Sequence, residues 1–416
     1  MPEFLHLISP SEALDKILDA LPQSWAAGIE VVSTHTAHGR ILAERISAPH
    51  PLPPFPRSTV DGYAVQAKDT FGASGALPAY LRLSGEILMG KNPTIEVLPG
   101  ETAQVHTGGA IPDGADAVVM LEDTQLIDGS EIEVHRAVGV GQNILLKGED
   151  VQKGDVVLEP GTLLRPQEIG GLMALGMTSV SVAALPRVGI LSSGDEVVPP
   201  EMEPGPAQVR DINSHTLSAL IARLGGRPIL RGIIPDQYDA LLDAVKQSHQ
   251  EDDLIIITAG SSVSARDITG DVIQSLGEPG VLVHGISIKP GKPTILAIAD
   301  DIPLIGLPGN PVSALVVGAL ILTPLIRRFL GVRRVLPMPQ VKARLSANVV
   351  SQAGREDFIP VRLQKSEEGT IAEPVLGRSN LIFTLVRADG LVHIPSSATG
   401  LSMGAEVMVT LFSSEL

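Results

Sequence analysis

Between residues 186 and 336, short continuous apolar runs alternate with stripes of apolar residues at helical spacing. Leu254–Thr258 is such a run, rich in β-branched residues and bounded by acids and glycine, which is typical of a strand covered on both faces of a parallel sheet. Asn213 is expected to cap a helix with one apolar face, formed by Leu217, Leu220, Ile221 and Leu224. Because strands and helices alternate here, the pattern predicts a doubly wound α/β domain with a parallel sheet.

The rest of the chain has shorter, alternating runs. From Arg57 to about Gly141 they are separated by Gly, Pro and Asp, which predicts a small all-β module. Alternation returns after residue 337 and predicts a small β-barrel or sheet, while Ser11 is expected to start a helix that ends near Leu21. The predicted domains are a helical and strand linker domain (1–50 and 142–185), an inserted β domain (51–141), an α/β domain (186–336) and a C-terminal β-barrel (337–416).

One segment, Pro311–Ile326, is uncharged and resembles a membrane helix. It is shorter than the ~20 residues that a span needs, and Asn310-Pro311 opens it as a capped helix of a soluble protein would begin. The first ten residues have no basic region followed by an apolar one, so no secretory signal is expected. We therefore expect a cytoplasmic protein with no membrane span.

Composition narrows the function classes. The 416-residue chain has a net charge of −16 and only 3% aromatic residues, so neither a basic surface nor a set of stacking platforms for nucleic acid is expected. It has no cysteine, which excludes disulfides, thiolate metal sites and cysteine nucleophiles. The ten histidines show no HExxH spacing, so a zinc site is not expected. Any bound anion must be held by a local group of basic side chains and backbone donors.

Three loops follow strands in the α/β region, where open sheets of this class bind ligands. They are Ser192–Glu196, Gly260–Asp267 and Gly306–Pro311, and the last leads into a helix whose first turn has free N–H groups. After the second loop, Thr269 or Asp271 is expected to cap a helix that runs through Leu276. The segment Ile288–Pro293 adds Lys289 and Lys292, set between prolines and a glycine, and both lysines are predicted to contact phosphate or a similar anion.

Glu196, Asp236 and Asp267 each follow a predicted strand. Carboxylate oxygens are the ligands that Mg²⁺ takes, together with water and substrate phosphate. Each acid is also consistent with a helix cap or an ordinary loop position, and the two interpretations carry similar weight when the three acids are considered together.

Seven segments in order along the chain resemble the MoeA family, the molybdopterin molybdenumtransferases that also include the C-terminal domain of gephyrin. They are VDGYA (Val60–Ala64), HTGGAIPDGADAVVM (His106–Met120), GED (Gly148–Asp150), SSGDE (Ser192–Glu196), DINS (Asp211–Ser214), IKPGKP (Ile288–Pro293) and LPGNPVSA (Leu307–Ala314). The resemblance covers essentially the whole chain, and it implies the same four-domain layout as the hydrophobic pattern.

The resemblance implies a Mg²⁺-dependent reaction in which molybdate is inserted into adenylylated molybdopterin, with release of AMP, to form the molybdenum cofactor. By motif it assigns catalytic roles to Asp61, Thr107, Asp150, Asp236 and Lys289. It assigns metal binding to Glu196 and Asp267. The predicted substrate-binding residues are Ser193, Gly260, Ser261, Ser262, Lys292, Gly309, Asn310, Arg355 and Ser379.

The resemblance also implies partners. It predicts a homodimer whose sites combine the α/β domain of one chain with the β module of the other, and contacts with the molybdopterin adenylyltransferase and acceptor molybdoenzymes. Two departures from the family pattern stand out: serines replace glycines at Ser261 and Ser262, and a family lysine is missing near His284-Gly285. The alternatives are therefore insertion of tungstate, the preceding adenylylation step, or a non-catalytic scaffold that binds molybdopterin or a partner protein.

Overall fold

The computed structural model describes residues 7–259, 263–334, 337–367 and 369–412, without the side chains of residues 263–267. The chain begins with helix α1 (Pro10–Ala20) and strands β1 (Ile29–Ser33) and β2 (Ile46–Ser47). Ser9 caps α1, since its Oγ accepts a hydrogen bond from the Glu12 N–H at 3.1 Å. The predicted start at Ser11 was therefore wrong by one residue, because Pro10 occupies the first helical position, where its missing N–H costs nothing.

The inserted β module is a six-stranded sheet in which β4, β6 and β7 are buried on both faces. Its strand order is β7-β4-β6-β5-β9-β8, with β3 paired outside it to a later strand. Tyr63 and Val65 pack on one side, and Ala64 packs on the other, which gives the module a core of its own. The strands are β3 (Arg57–Ser58), β4 (Gly62–Val65), β5 (Ala79–Glu86), β6 (Glu101–Val105), β7 (Ala117–Met120), β8 (Thr124–Ile127) and β9 (Glu131–Val134).

The chain then returns to the N-terminal segment and completes it. β12 pairs antiparallel with β1, β11 pairs with β2, and β10 pairs with β3 of the module. Leu42, Ile46, Leu164, Leu172 and Val182 form the core of this region. The elements are β10 (Ile144–Leu145), β11 (Val156–Leu158), α2 (Pro166–Ala174) and β12 (Ser179–Ala183).

A mixed six-stranded sheet forms the α/β region, with helices on both faces. Its order is β16-β13-β17-β21-β20-β18, and the first four strands are parallel. The elements are β13 (Arg187–Ser193), β14 (Val197–Val198), β15 (Val209–Arg210), α3 (Asn213–Arg223), β16 (Arg227–Ile234), α4 (Tyr238–Glu251), β17 (Leu254–Ala259), α5 (Val263–Gln274), β18 (Pro279–His284), β19 (Ile288–Lys289), β20 (Ile295–Ala299), β21 (Ile302–Pro308) and α6 (Pro311–Phe329).

Two details of this region correct the sequence interpretation. The sheet is not parallel throughout, because Asp300 and Asp301 both have positive φ (46° and 73°) and join β20 to β21 in a tight hairpin. Helix α5 begins at Val263 rather than at Thr269 or Asp271. Of its described side chains, Ile268, Val272 and Ile273 pack in the core on one face of the sheet.

Helix α6 packs beside α3 and against β21, in the core on one face of the sheet. Gly318 allows this close packing, since a Cβ there would lie 2.9 Å from Leu217 Cδ2. By length and composition α6 is the one helix of the described residues that is long and apolar enough to cross a membrane. Its most apolar 18-residue stretch is 61% buried inside the protein. Residues of α1, α3 and α6 share one core, whereas α4 and α5 pack on the opposite face of the sheet.

The C-terminal region is a closed five-stranded barrel. The order β24-β25-β22-β28-β26 closes because β26 also pairs with β24, and β19 of the α/β region extends β24 as a parallel neighbour. Val361, Ala372, Ile394 and Val409 are fully buried in the barrel core. The elements are β22 (Gln340–Leu345), β23 (Val349–Val350), β24 (Glu356–Ser366), β25 (Gly369–Pro374), α7 (Phe383–Val386), β26 (Gly390–Ile394), β27 (Gly400–Leu401) and β28 (Glu406–Leu411).

A half-buried acid, Asp253, directly precedes β17. The Asp253 carboxylate accepts a hydrogen bond from the Arg187 N–H at 2.7 Å, and its carbonyl accepts one from Trp25 Nε1 at 2.9 Å. Burial raises the pKa of Asp253 above its ordinary value of 3.8, and the hydrogen bond from Arg187 opposes this only in part. The charged form of Asp253 is therefore less stable in the folded chain than in water.

We expect Asp253→Asn to stabilise the protein slightly at neutral pH. The amide keeps an oxygen acceptor for the Arg187 N–H. Because the pKa is raised in the folded state, wild type loses stability as pH rises through that pKa, and the advantage of the variant should vanish below about pH 3.8. Urea unfolding at several pH values measures this, with Asp15→Asn on the exposed face of α1 as the control. A difference that does not vary with pH would contradict the assignment.

Candidate active site

Four parallel strands of the α/β sheet end in one row. Ser193 at the end of β13 lies opposite Ile234 on one side and Ala259 on the other, and Ala259 lies opposite Pro308. Neighbouring strands are about 4.8 Å apart, so the row spans about 14 Å. The three loops selected from the sequence were predicted to follow β13, β17 and β21, and these strands end side by side at the edge of the sheet where α/β proteins bind their ligands.

The loop after β13 meets the loop after β16. Ser193 Oγ donates to Asp236 Oδ1 at 2.6 Å, and the Asp236 N–H donates to Asp195 Oδ1 at 3.2 Å. Ser193 is buried, Asp236 is half-buried, and Glu196 is exposed in the same loop. The structure thus brings Ser193 and Asp236 together, with Glu196 three residues further along the chain.

A buried polar network lies beneath this row. Asp211 accepts hydrogen bonds from Ser192 Oγ (2.8 Å), Ser214 Oγ (2.6 Å) and the Ser214 N–H (3.1 Å). Asp211, and not Asn213 as expected, therefore accepts the hydrogen bonds from the first turn of α3. Asn213 is the first residue of that helix, and its Nδ2 donates to the Gly309 carbonyl at 2.8 Å. Neither residue was predicted from the sequence to belong to the site, although both lie in the DINS segment.

Part of the predicted site falls outside the described residues. This applies to Gly260, Ser261 and Ser262 as a whole, and to the side chain of Asp267. Their predicted roles in binding substrate and metal therefore stay predictions.

The loop after β21 presents the beginning of α6. Asn310 precedes the helix, but its side chain makes no capping hydrogen bond, and Pro311 is the first helical residue. The Val312 N–H donates to the Ser379 carbonyl at 3.0 Å, which brings the segment around Ser379 to the end of the helix. The positive end of the helix dipole and the free Asn310 amide therefore face the same space.

The lysine segment is fixed against α6 by a glycine. A Cβ on Gly291 would lie 2.1 Å from Val317 Cγ2, and Gly291 has φ of 116°, so no other residue fits without displacement. Thr294 Oγ1 donates to the Gly291 carbonyl at 2.7 Å. Lys289 and Lys292, on either side of this point, are exposed. Their backbone positions are therefore set by close packing.

The lysine segment, the beginning of α6 and the barrel surround a cavity of about 1070 Å³. Its basic lining residues are Lys289, Lys292, Arg355 and Arg378, and none of the described residues that line it is Asp or Glu. The other predicted residues that line it are Asn310 and Ser379. In a chain with a net charge of −16, this cavity is a local region of positive potential suited to an anion.

The four basic side chains differ in their pairing. Arg355 forms an ion pair with Asp357, with Nε and Oδ1 2.8 Å apart. Among the described residues, Lys289, Lys292 and Arg378 have no carboxylate within 4.0 Å. Arg378 was not predicted from the sequence. The signal available was its position beside Ser379 in the GRSNLI segment.

The predicted residues of the β module form a separate group. β4 begins and β6 ends at an antiparallel pair, Gly62 and Val105, so the residues beyond them meet. The Asp61 carboxylate accepts a hydrogen bond from the Thr107 N–H at 2.8 Å. Asp150 is exposed in a turn next to the module. Neither Asp61, Thr107 nor Asp150 lines the cavity, and Glu196 and Asp236 do not line it either.

Comparison with known proteins accounts for this arrangement. Three family models match in succession: the MoeA N-terminal region (domains I and II) at residues 8–176, a probable molybdopterin-binding domain at 189–328, and the MoeA C-terminal region (domain IV) at 342–412.

Individual relatives match over almost their full length. A protein of Methanocaldococcus jannaschii named as a putative molybdopterin biosynthesis protein is 35% identical over 92% of each chain. The molybdopterin molybdenumtransferase of Haemophilus influenzae is 32% identical over 98% of this chain and 99% of its own. The solved structure of a MoeA protein from Pyrococcus horikoshii is similar with a TM-score of 0.84 and 33% identity, over 98% of this chain and 100% of that one. By these full-length matches and the order of the three models, this chain belongs to the MoeA family.

Proposed function

We propose that this chain is a transferase that inserts molybdate into adenylylated molybdopterin and releases AMP, forming the molybdenum cofactor. Its relatives carry the name molybdopterin molybdenumtransferase. The observation that carries the proposal is the cavity, whose described lining has three basic side chains without a carboxylate partner and no acid.

The cavity is suited to a tetrahedral dianion. Lys289 and Lys292 supply ammonium donors to oxyanion oxygens, and such charge-assisted hydrogen bonds are stronger than neutral ones. The positive end of the α6 dipole and the amide of Asn310 add to this attraction, although the Val312 N–H is already taken by the Ser379 carbonyl. We assign molybdate to this group of residues, with Arg355 and Ser379 on the barrel side.

The row of strand ends next to the cavity is suited to the adenylylated pterin. Ser193, the loop at residues 260–262 and Gly309 follow or end three adjacent strands. The Ser193 hydroxyl donates to Asp236, so its oxygen lone pairs remain free to accept from the substrate. With the anion in the cavity and the pterin along the row, the molybdate and the atoms that receive it are held as neighbours, which lowers the entropic part of the barrier.

The reaction requires charge to be neutralised at the phosphoric anhydride, and Mg²⁺ supplies this when it is bound. The described residues contain no group of three His, Cys, Asp or Glu side chains that fits a metal ion. Mg²⁺ sites built on substrate phosphate need only one or two carboxylates, with water completing the shell. Glu196 and Asp236 are acids of this type at the strand ends, and we propose that Glu196 and Asp267 hold the ion, with Asp236 directing Ser193.

The β module takes part through a second copy of the chain. Asp61, Thr107 and Asp150 are absent from the cavity lining of their own chain, which supports a homodimer in which domain 51–141 of one subunit covers domain 186–336 of the other. The linker (1–50 and 142–185) connects the two, and the barrel (337–416) forms the far wall of the cavity. We place the reaction in the cytoplasm, between a molybdopterin adenylyltransferase and the acceptor molybdoenzymes.

The purified chain should release AMP from adenylylated molybdopterin only when molybdate and Mg²⁺ are both present. Chromatography of the nucleotide measures this, and EDTA should stop release. Tungstate in place of molybdate tests the choice of oxyanion. If the adenylate binds to the protein but AMP never appears, the chain is a scaffold and the proposed activity is wrong.

Lys289→Gln and Lys292→Gln should each weaken molybdate binding by about tenfold, the equivalent of about 1.4 kcal/mol, because each removes one unpaired donor from the cavity. Isothermal titration with molybdate measures the change. Lys342→Gln is the matched control, since Lys342 pairs with Glu406 on the barrel surface and does not line the cavity. Equal effects of the three changes would show that only overall charge matters.

Mixing two impaired variants, assayed at a molybdate concentration well below the wild-type Kd, should restore activity if each site uses two chains. Asp61→Asn and Lys289→Gln, unfolded and refolded together, should regain about a quarter of the wild-type rate, because half of the dimers are mixed and each has one intact site. Each variant refolded alone serves as the control. Mass spectrometry shows whether mixed dimers have formed. If they have formed and activity does not recover, both residues belong to the site of one subunit.

A further inference from the structure

A buried acid lies behind the residues that line the cavity, between Arg355 and Phe358 in sequence. The side chain of Asp357 has 0% exposure, and it belongs to β24, the barrel strand that borders the cavity. A buried carboxylate beside an anion site opposes binding unless it is paired. Its contacts therefore need an explanation.

Both oxygens of Asp357 bind the same arginine. Arg355 Nε donates to Oδ1 at 2.8 Å, and Arg355 Nη2 donates to Oδ2 at 3.3 Å. Two parallel contacts fix the plane of a guanidinium, whereas a single contact leaves it free to turn. The remaining nitrogen, Nη1, lies 3.4 Å from the Oε1 of Gln352, a residue of the cavity lining. The pairing thus leaves Nη1 on the cavity side.

The same carboxylate lies opposite the lysine segment. Asp357 is the partner of Lys289 in the parallel pairing of β24 with β19, and Glu356 is the partner of Ile288. The Glu356 N–H donates to the Ser287 carbonyl at 2.9 Å. The segment that carries Asp357 therefore places two cations of the cavity, which are Lys289 on β19 and Arg355 directly before β24.

We propose that Asp357 is a positioning residue, which holds the guanidinium of Arg355 so that Nη1 faces the bound oxyanion. The proposal rests on the proposed function in one respect, the oxyanion as ligand of Arg355. Asp357 does not touch the anion. Its contribution is to fix the arginine before the anion arrives, so that less side-chain freedom is lost on binding.

The orientation of Arg355 can be measured without any ligand. In a protein labelled with ¹⁵N-arginine, the two Nη groups of Arg355 should give separate signals in wild type, because the bidentate pair stops rotation about the Nε–Cζ bond. Arg355→Lys assigns the signals. In Asp357→Asn they should merge into one averaged signal. Separate signals in both proteins would overturn the proposal, whatever the protein's activity is.

Binding of molybdate tests the consequence. Asp357→Asn should raise the Kd about tenfold in wild type but should change it less than twofold in an Arg355→Gln background, because the acid acts through that arginine. Glu356→Gln is the matched control: it is the neighbouring acid on the same strand, its side chain points to the opposite face, and it binds His393 at 2.7 Å.

Two results would overturn the proposal. Additive effects of the changes at 355 and 357 would mean that Asp357 acts elsewhere, and tighter binding by Asp357→Asn would mean that its charge only repels the anion. Thermal unfolding of each variant identifies a folding defect. If Asp357→Asn fails to fold, the ligand-free arginine spectrum of Asp357→Glu takes its place in the test. If wild type releases no AMP but its Arg355 signals merge in Asp357→Asn, the proposed function fails and the positioning role stands.

Discussion

The site depends on a short parallel pairing between two domains. β19 has two residues, Ile288 and Lys289, and it adds them to the edge of the barrel strand β24. This pairing places the lysine segment between the barrel and α6, where Gly291 contacts Val317 too closely for any side chain. Without it the α/β sheet would still fold on its own core, but the cavity would lose one wall. The anion site is therefore a product of domain contact rather than of either domain alone.

This explains what the sequence could predict. Leu254–Thr258 is apolar without interruption because helices cover both faces of its sheet, so its strand was predicted from pattern alone. The hairpin at Asp300-Asp301 was missed, since the turn is made by two acids in a left-handed conformation that glycine or asparagine usually adopts. The barrel was predicted only as a barrel or a sheet, because its closure depends on pairing between β24 and β26, far apart in sequence.

The candidate site divides in the same way. Ser193 and Asp236 follow predicted strands that turn out to be neighbours, and a 2.6 Å hydrogen bond joins them. The lysines of the KPGKP segment stood out through their prolines and glycine. Arg355 and Ser379, by contrast, reach the cavity from the barrel, and nothing in their local sequence indicates where they lie. Only the family resemblance selected them, and Arg378 beside them was not selected at all.

Charge explains why a buried acid is tolerated at an anion site. A buried carboxylate close to a bound anion opposes its binding, because the protein interior screens charge less than water does. Three unpaired cations in the same cavity, Lys289, Lys292 and Arg378, offset that repulsion. A site with four free cations would bind any dianion tightly and release it slowly. The ion pair with Asp357 weakens the attraction between Arg355 and the anion, but it fixes the orientation of the guanidinium. An enzyme that passes its oxyanion to a second substrate must also release that oxyanion, so weaker attraction is compatible with catalysis.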